Sequence, residues 1–142
     1  MRGMRQQTTE FHVETRGRRL YEISTEIRGW VGSSGIEQGL LTLYVRHTSA
    51  SLTIQENADP EVQRDLERFL DRLVPQGDPL FRHTMEGPDD MPAHVRSMLT
   101  TTTLGIPVAS GEPVLGTWQG VYLYEHRTAP HRRRVIANII GE

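Results

Sequence analysis

The stretch Gly39–Glu56, "GLLTLYVRHTSASLTIQE", decides the fold. Leu41, Leu43 and Val45 share one face with His47, Thr42, Tyr44 and Arg46 take the other, and Leu52 and Ile54 follow. A period of two is the pattern of a β-strand, and β-branched and aromatic residues favour a pleated, half-buried surface. An apolar row that ends in a histidine is the first functional hint, because His47 sits at the edge of what the strand buries.

Working towards the N-terminus, "TTEFHVETRG" alternates Phe11, Val13 and Thr15 against His12 and Glu14, which predicts a strand ending at Gly17. "YEISTEIRGWVGSSG" places Ile23, Ile27 and Trp30 at helical spacing, while Gly29, Gly32 and Gly35 keep any helix short. Working towards the C-terminus, "ADPEVQRDLERFLDRLVPQG" is the clearest helix. Asp59 caps it, Pro60 takes the first turn, and Val62, Leu66, Phe69, Leu70 and Leu73 form one apolar stripe before Pro75. A broken stretch, "RHTMEGPDDMPAHV", leads into a shorter helix, "DMPAHVRSMLTTT", with Asp89 or Asp90 at its cap and Val95, Met98 and Leu99 inward. "GIPVASG", "GVYLYEHR" and "RRVIANII" are three closing strands, the last two joined by "TAPH".

Strands and helices in this order do not alternate as βαβ units, so the fold class is α+β, mainly antiparallel, with two or three helices to one side. The chain of 142 residues has room for one core. We expect a single domain over residues 5–142, with residues 1–4 a disordered N-terminal extension and Met4 a candidate start.

Composition removes several function classes. The 16 Lys plus Arg against 18 Asp plus Glu leave a net charge of -2, which gives no bulk attraction for nucleic acid. No cysteine is present, so thiolate catalysis and Cys-based metal sites are excluded and His and carboxylate are the strong metal ligands that remain. Apolar runs are short and the N-terminus lacks a signal-peptide core, so neither membrane insertion nor export is indicated and a cytoplasmic location is expected.

Three polar constellations remain. "HTSASLTIQENADP" carries His47, Ser49, Glu56, Asn57 and Asp59; His47 reads equally as a core-edge histidine, and Asp59 as a cap. "RHTMEGPDDMPAHV" carries His83, Asp90 and His94, ligand types that suit zinc or manganese, with magnesium favouring the carboxylates. The spacing of the two histidines matches no short helical signature, so a solvated loop with a helix cap is the competing reading. There Glu86 and Asp89 are read as solvated loop charges. "GTWQGVYLYEHRTAPHRRRV" carries Thr117, Trp118 and Gln119 between two glycines, a stacking surface beside an amide. Its strand ends in Glu125 and Arg127, and the run Arg132–Arg134 suits anion binding or protection of a sheet edge.

"HTSASLTIQENADPEVQRDLERFLDRLVP", "RHTMEGPDDMPAH", "LGTWQGVYLYEHR" and "RRVIANIIGE" together resemble the YjbQ-like family, described as secondary thiamine-phosphate synthases. The resemblance runs from about Thr8 to Glu142. It implies a two-sheet β-sandwich and a homotrimer. The family's motif residues fall on His47, Thr48, Ser49, Glu56, Asn57, Asp59, His83, Asp90, His94, Gly116 to Gln119, Glu125, Arg127 and Arg134.

The implied activity is a transferase reaction that condenses hydroxymethylpyrimidine diphosphate with a thiazole phosphate. On that expectation His47, His83, His94, Asp90 and Glu125 are catalytic, and His47, His83 and His94 ligate a divalent zinc, manganese or magnesium ion supported by Glu56 and Asp59. Ser49, Asn57, Thr117, Trp118, Gln119, Arg127 and Arg134 would bind the small phosphorylated substrate. A metal-dependent phosphohydrolase and a non-catalytic trimer that binds a phosphorylated metabolite are the alternatives, since the same residues serve either.

Overall fold

The structure is a computed structural model, and it describes residues 3–142. Of the expected extension over residues 1–4, Met1 and Arg2 lie outside the described residues, and the first strand begins at Arg5. In chain order the elements are β1 (Arg5–Arg16), β2 (Arg19–Glu22), α1 (Ser24–Ser34), β3 (Gln38–Val45), β4 (Ala50–Glu56), α2 (Pro60–Leu73), α3 (Asp90–Leu99), β5 (Thr103–Ala109), β6 (Glu112–Pro113), β7 (Gln119–Glu125) and β8 (Pro130–Gly141).

Two antiparallel sheets form, one of five strands in the order β1-β8-β3-β5-β6 and one of three in the order β2-β7-β4. This is the expected α+β sandwich with helices. The core lies between the sheets: Leu41, Leu43, Val45, Ile106, Val108, Val135, Ala137 and Ile139 face Ala50, Leu52, Val121 and Leu123, and Ile27 and Val31 of α1 close one side. Gly35, at φ 72°, ends α1 in the left-handed conformation that glycine adopts without steric cost.

The alternation expected in β7 holds, but both faces are buried. Val121, Leu123 and Glu125 point into the sandwich, and on the other side Tyr122 and Tyr124 form a second apolar cluster with Leu20, against which Leu70 of α2 packs. Asp59 caps α2 as expected, its Oδ1 accepting from the amide of Glu61 at 2.9 Å. The apolar stripe of α2 is only partly used: none of its residues is fully buried, and Phe69 and Leu73 remain exposed.

α3 is rotated from the expected orientation. Its buried residues are Asp90, Pro92, Ala93 and Arg96, whereas Met98 and Leu99 are exposed. The cause is electrostatic: Arg96 Nη2 donates to Asp71 Oδ1 at 3.0 Å and to the Val74 carbonyl at 3.2 Å, and Asp90 is paired as described below, so both charges go inward with a counter-charge, while Arg96 Nε is buried without a partner. Among the described residues no helix is long and apolar enough to cross a membrane.

Candidate metal centre

Asp90 and His94 stand four residues apart on α3 and therefore project from the same helix face. The loop before the helix brings His83 to them. His83 Nε2 lies 2.7 Å from Asp90 Oδ2 and His94 Nε2 lies 3.1 Å from the same oxygen. The three ligand atoms are all within 4.8 Å of one another. Zinc–nitrogen and zinc–oxygen bonds of about 2.0–2.2 Å set the ligand atoms of one ion roughly 3.0–3.5 Å apart, so the His83 ring would back away slightly from the Asp90 oxygen to admit an ion.

The hydrogen bonding makes the case sharper. The Thr48 carbonyl can only accept, so the 3.0 Å contact from His94 Nδ1 requires the proton on that nitrogen. In the neutral ring Nε2 is then a bare lone pair aimed at a carboxylate oxygen. Two acceptors face to face need a cation between them, either a second proton on the imidazole or a metal ion. A backbone carbonyl that fixes the far nitrogen of a histidine is also the usual support of a metal-ligating imidazole.

Asp90 is buried, and its other oxygen, Oδ1, pairs with Arg127 Nη1 at 2.7 Å. Burial by itself would raise its pKa, but the His83 hydrogen bond and the Arg127 and His94 charges outweigh that and hold the carboxyl below its usual value. Asp89, expected among the solvated loop charges, is buried instead. Its Oδ2 accepts from Arg127 Nε at 2.9 Å and from the Thr128 amide at 2.9 Å. Burial opposes ionisation there too, yet those bonds prevail and bring the pKa down to about 2. Arg127 also donates to the Glu86 carbonyl at 3.0 Å. It is thus a clamp that holds the loop, Asp89 and Asp90 together through all three of its nitrogens.

Glu125 is completely buried beside this region and does not face the cluster. Its oxygens accept from Thr15 Oγ1, from the amides of His126 and Arg127, and from Arg133, a member of the run expected to bind an anion or protect a sheet edge, which instead lies on β8 inside the five-stranded sheet. Arg133 also donates to Ser49 Oγ at 3.0 Å. Ser49, Glu125 and Arg133 thus form a buried polar brace under the β3–β4 turn.

His47 is not one of the converging ligands. Its Nε2 accepts from the Arg134 amide at 2.8 Å, and burial, followed by the Arg133 charge, lowers its pKa. It lines, with Tyr44, Arg46, Thr48, Ser49 and Arg133, a groove of about 490 Å³. Arg134 is held by Glu10 at 3.0 Å.

The remaining candidates lie elsewhere. β4 and β7 are antiparallel, with Ala50 opposite Glu125 and Glu56 opposite Gln119. Glu56, Asn57, Asp59, Thr117, Trp118 and Gln119 therefore sit at the other end of the three-stranded sheet, about 20 Å away at about 3.3 Å per residue. There Glu56 Oε2 accepts from the Asp59 amide, the Asn57 amide donates to the Trp118 carbonyl, and Gln119 Oε1 accepts from the Gly116 amide. Within one chain Glu56 and Asp59 do not support the histidines, and Trp118, 64% exposed, does not stack over them.

The family described as UPF0047 protein YjbQ-like matches residues 9–142. A UPF0047 protein of Synechocystis is 52% identical over 130 residues, covering 92% of this chain and 88% of its own length. The YjbQ protein of Escherichia coli O157:H7 is 50% identical over 104 residues, 73% of this chain and 75% of its own. A solved UPF0047-family structure from Clostridium acetobutylicum superposes with a TM-score of 0.84 at 34% identity, covering 92% of this chain and 98% of that one. A YbjQ-like protein of unknown function from Sulfolobus solfataricus gives 0.89 at 22% identity, 99% and 100% covered, which speaks for the fold alone.

These findings overturn the thiamine-phosphate synthase expectation. The relatives carry a family designation and no activity, and the Sulfolobus protein is described as of unknown function. In the structure Arg127 pairs with Asp89 and Asp90, Arg134 pairs with Glu10, and the Trp118–Gln119 surface lies at the opposite end of the three-stranded sheet from the histidine cluster.

Proposed function

The chain belongs to the UPF0047 YjbQ-like family, and on that footing we propose that it is a metal-centre protein whose divalent ion is held by His83 Nε2, His94 Nε2 and Asp90 Oδ2. The observation that carries this reading is the His94 ring, its Nδ1 proton committed to the Thr48 carbonyl and its Nε2 turned on a carboxylate. Two imidazoles and one carboxylate are a borderline donor set that suits zinc, manganese or iron. Asp90 is sealed in the protein while His83 and His94 have 44% and 34% of their side chains exposed, so the open coordination positions face solvent.

An ion held there would supply Lewis acidity to a small ligand entering from that side. This chain's own residues have other tasks. Thr48 fixes the tautomer of His94, and Arg127 keeps Asp90 ionised and immobile while Asp89 keeps Arg127 in place. Titration of metal-free protein with zinc or manganese should give one site per chain, lost in His83→Ala, His94→Ala and Asp90→Asn while the circular dichroism spectrum is retained. Stoichiometric binding that survives all three substitutions rejects the assignment.

A homotrimeric assembly and a cytoplasmic location complete the proposal. Cysteine is absent, as suits a reducing interior without requiring one. Recovery of the protein outside the cytosol on cell fractionation would reject the location.

A further inference from the structure

A cavity of about 230 Å³ opens directly beside the proposed centre, and His83 forms part of its wall. The rest is mainly apolar: Phe81, Pro88, Met91 and Pro92 line it, with Thr84 at the edge. Asp78 also borders it, but its Oδ1 accepts from the Leu80 amide at 2.9 Å and serves the turn. No lysine or arginine lines the cavity.

The walls are built before any ligand arrives. Gly77 and Gly87 take positive φ values of 77° and 104°, which turn the loop sharply at both ends of the cavity. The Gly87 amide donates to the Thr84 carbonyl at 3.2 Å, and Arg127 Nη2 holds the Glu86 carbonyl at 3.0 Å. Met91 and Pro92 belong to α3, the helix that carries Asp90 and His94, so this wall and two of the ligands move as one body.

We infer that this cavity is a specificity pocket for the uncharged ring of a small ligand whose polar head is bound at the metal. The argument is one of continuity and size. His83 belongs both to the cavity and to the ligand set, so a molecule coordinated on the open side can lay its apolar part against Phe81 and Met91. An apolar cavity of about 150 Å³ is enough for benzene, so the space here suits one six-membered ring with a short substituent. Such sites are characteristically apolar with a few polar groups that fix orientation. The inference rests on the metal reading for the head group and on the loop geometry for the ring.

The test compares two probes with the same chelating head, acetohydroxamate and benzohydroxamate, on cobalt-loaded protein, with binding followed through the visible spectrum of the ion. Benzohydroxamate should bind at least about tenfold more tightly, in keeping with burial of a ring face, and the ratio should fall towards one in Met91→Gln and in Phe81→Ser. Equal affinities for the two probes in the wild-type protein overturn the pocket while leaving the metal centre intact. A second arm needs no metal: phenol titrated into metal-free protein should produce a saturable shift of the Met91 methyl resonance. If cobalt does not bind, the metal reading fails and this arm decides the pocket, which is rejected if the resonance does not move.

Discussion

His126 shows how far a single residue can be read. It is 1% exposed, its Nε2 lies 2.8 Å from Ser51 Oγ, and burial, followed by the nearby Arg96 charge, pushes its pKa down to about 3. Glu125 pulls the other way, and Arg133 and Arg18 reinforce the depression. The unfolded chain takes up this proton near pH 6.5 and the folded protein refuses it until far lower, so the unfolded state binds more protons in between. Stability is therefore complete above about pH 6.5 and falls as the pH drops towards 3, by at most about 1.4 kcal/mol per unit for this group. His47, also lowered, adds to the same slope. Urea denaturation between pH 7 and 4.5 should show the decline, and His126→Gln should flatten most of it; wild-type stability that stays level over that range contradicts the account. Asp90 and His94 both fall in the helix expected over "DMPAHVRSMLTTT", and their spacing of four would have put them on one face, but His83 is placed by a loop whose path no periodicity encodes. Arg133 was legible and missed: alternation from Val135, Ala137 and Ile139 puts it on the inward face, towards Glu125.

At the level of elements, the strands were the most readable part because a period of two ties sequence directly to face. What the pattern could not supply was the backbone spacing between neighbours. Gly39 of β3 and Gly141 of β8 are register partners, and a Cβ on Gly141 would stand 2.0 Å from the Gln38 carbonyl oxygen, one on Gly39 2.3 Å from that of Ile140. Neither neighbour can yield, since both are ladder backbone. Gly141→Ala should destabilise the fold by about 1–3 kcal/mol, as overpacking does. Gly105→Ala on the adjacent strand β5, where the nearest atom is a leucine methyl at 3.9 Å, should stay within about 0.5 kcal/mol. Urea midpoints of the two variants compared with the parent check the contrast, and equal shifts would refute it. The helices were less legible for a related reason: α3 is oriented by ion pairs to Asp71 and Arg127, partners distant in sequence, and an apolar stripe carries no record of them.

For the whole molecule, the outward face of the five-stranded sheet is the surface to watch. Leu40 lies opposite Ile140 in the β3–β8 register and Tyr44 follows on the same face; all three are well exposed. Neighbouring apolar groups on an open sheet face are characteristic of an interaction surface. The proposed trimer should sediment as such at micromolar concentration, and Leu40→Asp combined with Ile140→Asp should return it to monomers with unchanged circular dichroism. A wild-type monomer under those conditions would end the trimer proposal. The sheet order bears on the history of the molecule as well. β8 fills the place between β1 and β3, with Arg5 opposite Gly141 and Val45 opposite Val135. During translation the first and third strands leave the ribosome long before residues 130–141 exist, and until then each presents an unpaired edge. The five-stranded sheet must therefore close after its other strands have been made, by long-range contacts that are slow to form. A nascent chain stalled short of β8 would hold two open strand edges in the crowded cell and depend on chaperones to keep them apart.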